Sequence, residues 1–170
     1  MSTIELPTTV PTTNLRHRTL VTVGVVAVAD QLSKMTAIAV LGDGERSIGP
    51  FRFVIVHNQG GPFGIATAAP LFWTVLTLAV VVAAIITVAT DKLQLGPPLA
   101  LGAVIGGGLG NPIDRLFRSP GGGKGAVIDW IAVDPYPRVF NLADVALRGG
   151  TVILVIAMLT QRSSERSHAA

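Results

Sequence analysis

Apolar residues gather in four long runs, at roughly 20–41, 71–90, 95–113 and 142–160, separated by mixed or glycine-rich stretches. Each run is near the ~20 residues that a bilayer core requires. The pattern predicts an α-helical membrane protein with four transmembrane helices, organised as one unit over residues 1–170. Two longer loops are expected, about 42–70 and 114–140, and the second contains the loop-forming run from Ser119 to Gly125. The second and third runs are joined by a short turn around Asp91 and Lys92, and no internal repeat is present.

Composition agrees with a lipid-facing surface. Hydrophobic residues make up 49% of the chain, charged residues 14%, and the mean hydropathy is +0.59. A soluble domain carries about 25% charged residues. The absence of cysteine excludes disulfides, thiolate metal sites and a cysteine nucleophile. A net charge of +3, with no basic stripe interleaved with aromatics, sets nucleic acid aside.

The first run has some features of a cleaved signal peptide: Arg16-His17-Arg18 precede it, and Ala27-Val28-Ala29 resembles a small-residue cleavage site. Its apolar pattern resumes from Met35 to Leu41, however, after Asp30, Gln31 and Lys34, and cleavage would leave an odd number of spans. A retained first span is therefore expected. Basic residues flank the first and fourth runs at Arg16, Arg18, Arg162 and Arg166. These favour cytoplasmic termini, which turns both longer loops outward. The other loops also carry basic residues, so charge counting alone does not fix the orientation.

Few polar residues interrupt the runs. Asp30 and Lys34, four apart, suit a helical ion pair that acts as a strut. Gly102, Gly106 and Gly110 form a stripe that permits close helix packing. The second run is uncharged, and Trp73 suits an interfacial anchor. Asn58, followed by Gln59, Gly60, Gly61 and Pro62, marks a tight turn or a donor to substrate backbone. His57 stands without a second ligand at metal spacing and fits a surface residue. Asn111 before Pro112 suggests a turn or cap at a disturbed helix end. Asp114 and Arg115 suit an interfacial charge pair, and Arg115 equally a clamp on lipid or a peptide carbonyl.

Two aspartates carry the candidate chemistry. Asp129 lies in the apolar run Ala126 to Val133, and Asp144 opens the fourth span. Acidic residues beside hydrocarbon are functional candidates, and two within reach could share a proton as an aspartic-protease pair. Asn141 and Asp144 also fit a helix cap followed by a first-turn acid, where the positive helix end favours an anion. That alternative leaves Asp129 without a role. A proton or cation relay through Asp30, Asp114 and Asp144 predicts carboxylates spread through the bilayer depth and matching halves. Here Asp114, Asp129 and Asp144 gather near one face, and the halves differ. A purely structural membrane partner is the other rival, and it has no use for that grouping.

Five segments in order resemble the bacterial lipoprotein signal peptidases (signal peptidase II). They are Asp30-Gln31-Leu32-Ser33-Lys34, Asn58-Gln59-Gly60, Gly107 to Arg115, Val127-Ile128-Asp129-Trp130, and Phe140-Asn141-Leu142-Ala143-Asp144. The resemblance implies a four-helix aspartic endopeptidase of the cytoplasmic (inner) membrane, with both termini cytoplasmic and an extracytoplasmic β-sheet cradle from the first outer loop. It implies prolipoprotein substrates carrying diacylglyceryl-cysteine, cut before that cysteine near the outer face, with no cofactor or metal. By motif position Asp129 and Asp144 are catalytic. Asn58, Asn111, Asp114, Arg115 and Asn141 support the pair or hold substrate, and Asp30 and Lys34 form the structural polar pair. Three departures stand out: Gly61 and Pro62 before Phe63, Pro112 after Asn111, and the glycine run before Asp129, which is expected to be mobile.

Overall fold

The computed structural model describes residues 12–60, 70–90 and 97–168, with side-chain surroundings from 14 up to 160. Gly61, Pro62, Phe63 and the turn at Asp91 and Lys92 lie outside the described residues, as do the side chains of Arg162 and Arg166. In chain order the elements are α1 (Thr12–Leu41), β1 (Glu45–Ile48), β2 (Phe51–Asn58), α2 (Pro70–Ala89), α3 (Pro98–Phe117), β3 (Val127–Val133) and α4 (Leu142–His168).

Local chemistry sets the boundaries. Helix α1 stops at Gly42, whose φ of 54° is the left-handed conformation that ends helices, and the Gly42 N–H reaches the Ile38 carbonyl at 3.0 Å. Helix α3 starts at Pro98, where a missing N–H and a fixed φ are no handicap. The α4 N-terminus is capped as the sequence suggests: the Asp144 N–H donates to Asn141 Oδ1 at 3.0 Å.

Helix α3 is the axle of the bundle. Its glycine stripe faces α1: a Cβ added at Gly102 would lie 2.5 Å from Thr22 Cβ, and one at Gly106 would lie 2.8 Å from the Val23 carbonyl. The adjoining side meets α4, where a Cβ on Gly107 would sit 2.6 Å from the Ala143 carbonyl. Val23, Val81, Leu101 and Ile105 close the apolar core between α1, α2 and α3. The small-residue stripe thus does the architectural work expected of it.

Two expectations about α3 are corrected. The helix does not end at Ile113 but continues through Pro112 to Phe117. Asn111 is accordingly not a turn or cap residue but interior to the helix. Its side chain and that of Asp114 are gripped by neighbouring elements, which hold the last turn despite the N–H missing at Pro112. By composition α3 does not count among the helices that are both long and apolar enough to cross a membrane. Those are Asn14–Leu41, Pro70–Ala89 and Leu142–Thr160, so the helices of spanning apolarity number three among the described residues. Being covered by its neighbours, α3 can carry glycine, asparagine and charge where they present apolar side chains outward. Val25, Val80 and Leu159 are each about 60% exposed, as lipid-facing residues on a membrane protein would be.

The sheet has the order β1-β2-β3, all antiparallel. Strands β1 and β2 form a hairpin about Gly49 and Pro50, with Gly49 at a φ of 56°. The third strand comes from the second long loop, so the sheet is not built from the first loop alone. Its register sets Val56 opposite Asp129 and Asn58 opposite Val127.

Candidate active site

A buried charge cluster underlies the site. Lys34 Nζ lies 2.7 Å from Asp30 Oδ2 and 2.7 Å from Asp114 Oδ2, and none of the three side chains is exposed. Asp30 Oδ1 also accepts the Ala143 N–H at 2.8 Å, at the positive end of α4. Asp114 accepts from Ile128 N–H at 3.1 Å and from Arg118 Nε at 2.6 Å. The expected Asp30/Lys34 strut is therefore a triad that binds α1, α3, β3 and α4. The expected pairing of Asp114 with Arg115 is corrected, since the partners of Asp114 are Lys34 and Arg118. Buried charges need such partners, because each one alone would cost several kcal/mol.

Above the triad, a chain of amides joins the two aspartates. Asn58 Nδ2 donates to Asp129 Oδ2 at 2.9 Å, and Asn141 Nδ2 donates to Asp129 Oδ1 at 2.7 Å. Asn141 Nδ2 also donates to Asn111 Oδ1 at 2.9 Å, while Asn111 Nδ2 donates to Asp144 Oδ1 at 3.1 Å. Lys34 Nζ donates to Asn111 Oδ1 at 3.2 Å, which ties the charge triad to this chain. The amide orientations are mutually fixed. Asn111 must present its oxygen to Lys34, and Asn58 its oxygen to the Gly60 N–H at 2.9 Å.

Asp129 is 3% exposed. Burial pushes its pKa up to about 6, and the neighbouring Asp144 charge adds to that. The amide hydrogen bonds from Asn58 and Asn141 and the Lys34 charge oppose it. Asp129 and Asp144 both line a cavity of about 230 Å³, with Asn58, Asn111 and Arg115. Two carboxylates on one cavity, each held by side-chain amides and one inclined to keep a proton, are equipped for acid–base work on a bound carbonyl.

Residues 22–160 match the family described as Signal peptidase (SPase) II. The chain belongs to the signal peptidase II family. It is 42% identical over 128 residues to the lipoprotein signal peptidase of Streptomyces coelicolor, covering 73% of this chain and 61% of that one. The lipoprotein signal peptidase of Rhodococcus jostii is 35% identical over 153 residues, covering 88% of this chain and 76% of the relative. The chain thus spans about three fifths of the length of the first of these relatives. A solved bacterial membrane enzyme superposes with a TM-score of 0.70 at 27% identity, covering 86% of this chain and 90% of that one.

The remaining expected site residues of this chain are placed as follows. Arg115 lies on α3, not in a loop turn, and its guanidinium donates to the Gly60 and Gly125 carbonyls. Asn58 sits at the end of β2 with its amide on Asp129. His57 is exposed, as expected of a surface residue. The glycine run is held in place rather than loose. Gly121, Gly122 and Gly123 adopt positive φ, the Gly123 and Gly125 N–H groups both reach the Arg115 carbonyl at 3.0 Å, and Thr74 Oγ1 donates to the Gly123 carbonyl at 2.9 Å.

Among the other residues that line the cavity are Trp73, Tyr136, Arg138 and Arg148, none of them singled out as a site candidate. Trp73 is half-buried and lines the cavity. Arg148 carries a sequence signal, an arginine inside an apolar run one helical turn beyond Asp144. Tyr136 and Arg138 sit in a proline-flanked loop with no pattern to mark them.

Proposed function

We propose that the chain is a single membrane-embedded aspartic endopeptidase over residues 1–170. It removes the signal peptide from prolipoproteins whose cysteine carries a diacylglyceryl group, cutting just before that cysteine. In this reading α3 crosses the bilayer with α1, α2 and α4, both termini are cytoplasmic, and the site opens near the outer face of the bacterial inner membrane. One observation carries the proposal: the Asn141–Asn111 amide chain that links Asp129 to Asp144 at the wall of a single cavity.

In the proposed cycle Asp144 takes a proton from water as its oxygen attacks the scissile carbonyl carbon, and Asp129 gives its proton to the carbonyl oxygen. Burial and the Asp144 charge raise the Asp129 pKa to about 6, which supports it as the donor. The diol then collapses: one hydroxyl returns its proton to Asp129, the C–N bond breaks, and the leaving nitrogen takes the proton held by Asp144. Two carboxylates and water complete the cycle without a covalent intermediate, metal or cofactor. Asn58, Asn111 and Asn141 keep the carboxylates oriented. Asp114 and Arg115 hold the surrounding backbone, Asp30 and Lys34 the helices, and the substrate lipid places the bond by partitioning into the bilayer.

The test uses the purified protein with two peptides that differ only in a diacylglyceryl group on cysteine. Mass analysis should find a product beginning at the lipidated cysteine and leave the unlipidated peptide intact. Equal cleavage of both, cleavage elsewhere, or no cleavage would count against the assignment.

A further inference from the structure

The sheet has a second face, turned away from the aspartates, and a groove runs between it and α1. Neighbouring strand residues point to opposite sides of a sheet, so Asp129 faces the cavity and Trp130 the other side. Trp130 stacks on Phe53 with ring centroids 6.0 Å apart. Phe53 is the Cα partner of Arg46 across the hairpin, so a cation and an aromatic pair share this face.

The facing wall is Ser33, Thr36, Ala37, Val40 and Leu41 of α1. These follow the helical repeat closely and form one stripe about 12 Å long at 1.5 Å per residue. The groove has a volume of about 360 Å³. Leu41 ends the apolar stretch of α1 that is long enough to cross a membrane, so in a bilayer the stripe would lie at hydrocarbon depth in the leaflet beside the sheet. Arg46 lies just beyond that end, exposed, with no ion-pair partner among the described residues. Glu45 on the same strand is engaged by Arg52 at 3.4 Å. The Trp130 Nε1–H is buried without an acceptor in the described residues.

An apolar stripe at acyl-chain depth, topped at the water boundary by a single unpaired arginine, matches the shape and charge order of an anionic phospholipid. We infer that this groove binds one acyl chain of such a lipid, with its phosphate on Arg46. A zwitterionic lipid presents a compensating cation and gains less from Arg46. The inference depends on insertion in a bilayer and not on the aspartate chemistry.

Trp73 and Trp130 are the two tryptophans of the chain, so Trp73→Phe leaves Trp130 as the only indole emitter. The full-length variant is placed in phosphatidylcholine bilayers with trace brominated lipid, and quenching is followed against its mole fraction. Brominated phosphatidylglycerol should reach half-quenching at about a fivefold lower fraction than brominated phosphatidylcholine, the effect of one arginine on an anionic headgroup. Arg46→Gln should erase this difference and Arg46→Lys retain it. Thr36→Phe, which fills the groove without touching Arg46, should weaken quenching by both lipids. Equal quenching by the two lipids, a preference that survives Arg46→Gln, quenching indifferent to Thr36→Phe, or no quenching at all would each overturn the site.

Discussion

Asn141 and Asn111 are joined amide to amide: Asn141 Nδ2 donates to Asn111 Oδ1 at 2.9 Å. That bond connects the support of Asp129, on a strand, to the support of Asp144, on a helix. Neither amide can rotate alone. Turning Asn141 over would set its NH2 group against the Asp144 N–H that its oxygen now accepts. The two aspartates are thus positioned by one continuous network rather than by separate local contacts.

Replacement of Asn141 should separate its two duties. Asn141→Ala removes the α4 cap and the amide bridge together, so we expect a loss of about 1–3 kcal/mol in stability and a fall in kcat of at least about a hundredfold. Asn141→Ser restores a good cap but cannot span to both Asp129 and Asn111. It should recover much of the melting temperature and little of the rate. Full recovery of kcat in the serine variant would reduce Asn141 to a cap.

Asp129→Asn and Asp144→Asn should each abolish cleavage and leave an inserted, folded protein, because asparagine keeps the size but cannot cycle a proton. Stability carries a separate signature. The folded pKa of Asp129 is raised to about 6 from an ordinary value of 3.8, so the folded state binds its proton more tightly. Its contribution is fully present below the unfolded value and is lost as pH rises through about 6. Wild type minus Asp129→Asn should therefore lose relative stability between pH 4 and pH 7, in thermal melts on matched detergent samples. A difference flat in pH would contradict the raised value.

Lys34 offers a third expectation. Lys34→Met leaves Asp30 and Asp114 facing one another with no cation between them, at a loss of about 3–5 kcal/mol. We expect poor accumulation in membranes and a markedly lower melting temperature. Because Lys34 also holds the Asn111 oxygen at 3.2 Å, the protein that does fold should show reduced kcat with KM little changed. Normal accumulation and thermal stability with complete loss of cleavage would move Lys34 from structure into chemistry.

The apolar runs showed where α1, α2 and α4 lie, because their outward faces are lipid-exposed and must be apolar along their length. The same rule misjudged α3, which its neighbours shelter and which therefore ends in Asn111, Pro112, Asp114 and Arg115 without leaving the helix. Asp129 was legible because a carboxylate among Val127, Ile128, Trp130 and Ile131 has no local reason to be there. That β3 pairs with β2 was not legible, since strand pairing across the intervening α2 and α3 depends on tertiary contacts that no local pattern encodes. The partners of Asn58 and Arg115 were hidden for the same reason. Both looked like donors free for substrate, and both are committed to groups within the protein, Asp129 and the carbonyls of Gly60 and Gly125. Glycine gives freedom, which suggested a loose run, but close approach of two backbones requires glycine as well.

That close approach gives the last prediction, a graded glycine series. A Cβ on Gly125 would lie 2.8 Å from the Asp114 carbonyl and 3.0 Å from the Arg115 carbonyl, and it would clash with the Arg118 carbonyl too. All three are backbone atoms of the α3 C-terminus and its cap and cannot swing aside. Gly125→Ala must therefore push the chain off α3 just before β3, displacing Asp129. We expect a loss of more than about 2 kcal/mol and a fall in cleavage of at least about tenfold. Gly122 has open space around it but a φ of 60°, so alanine there should cost only the left-handed strain of about 1–2 kcal/mol and spare the rate. Gly149 lies within α4 with nothing within 4 Å of an added Cβ, and its replacement by alanine should be neutral or stabilising by up to about 1 kcal/mol. Melting temperatures and kcat/KM in one detergent should rank Gly125→Ala lowest, Gly122→Ala intermediate in stability, and Gly149→Ala at or above wild type. Deleting one of Gly121–Gly123 should resemble Gly125→Ala, because the Thr74 and Arg115 hydrogen bonds fix the length of that turn. A deletion variant with wild-type cleavage would show the turn to be a spacer after all.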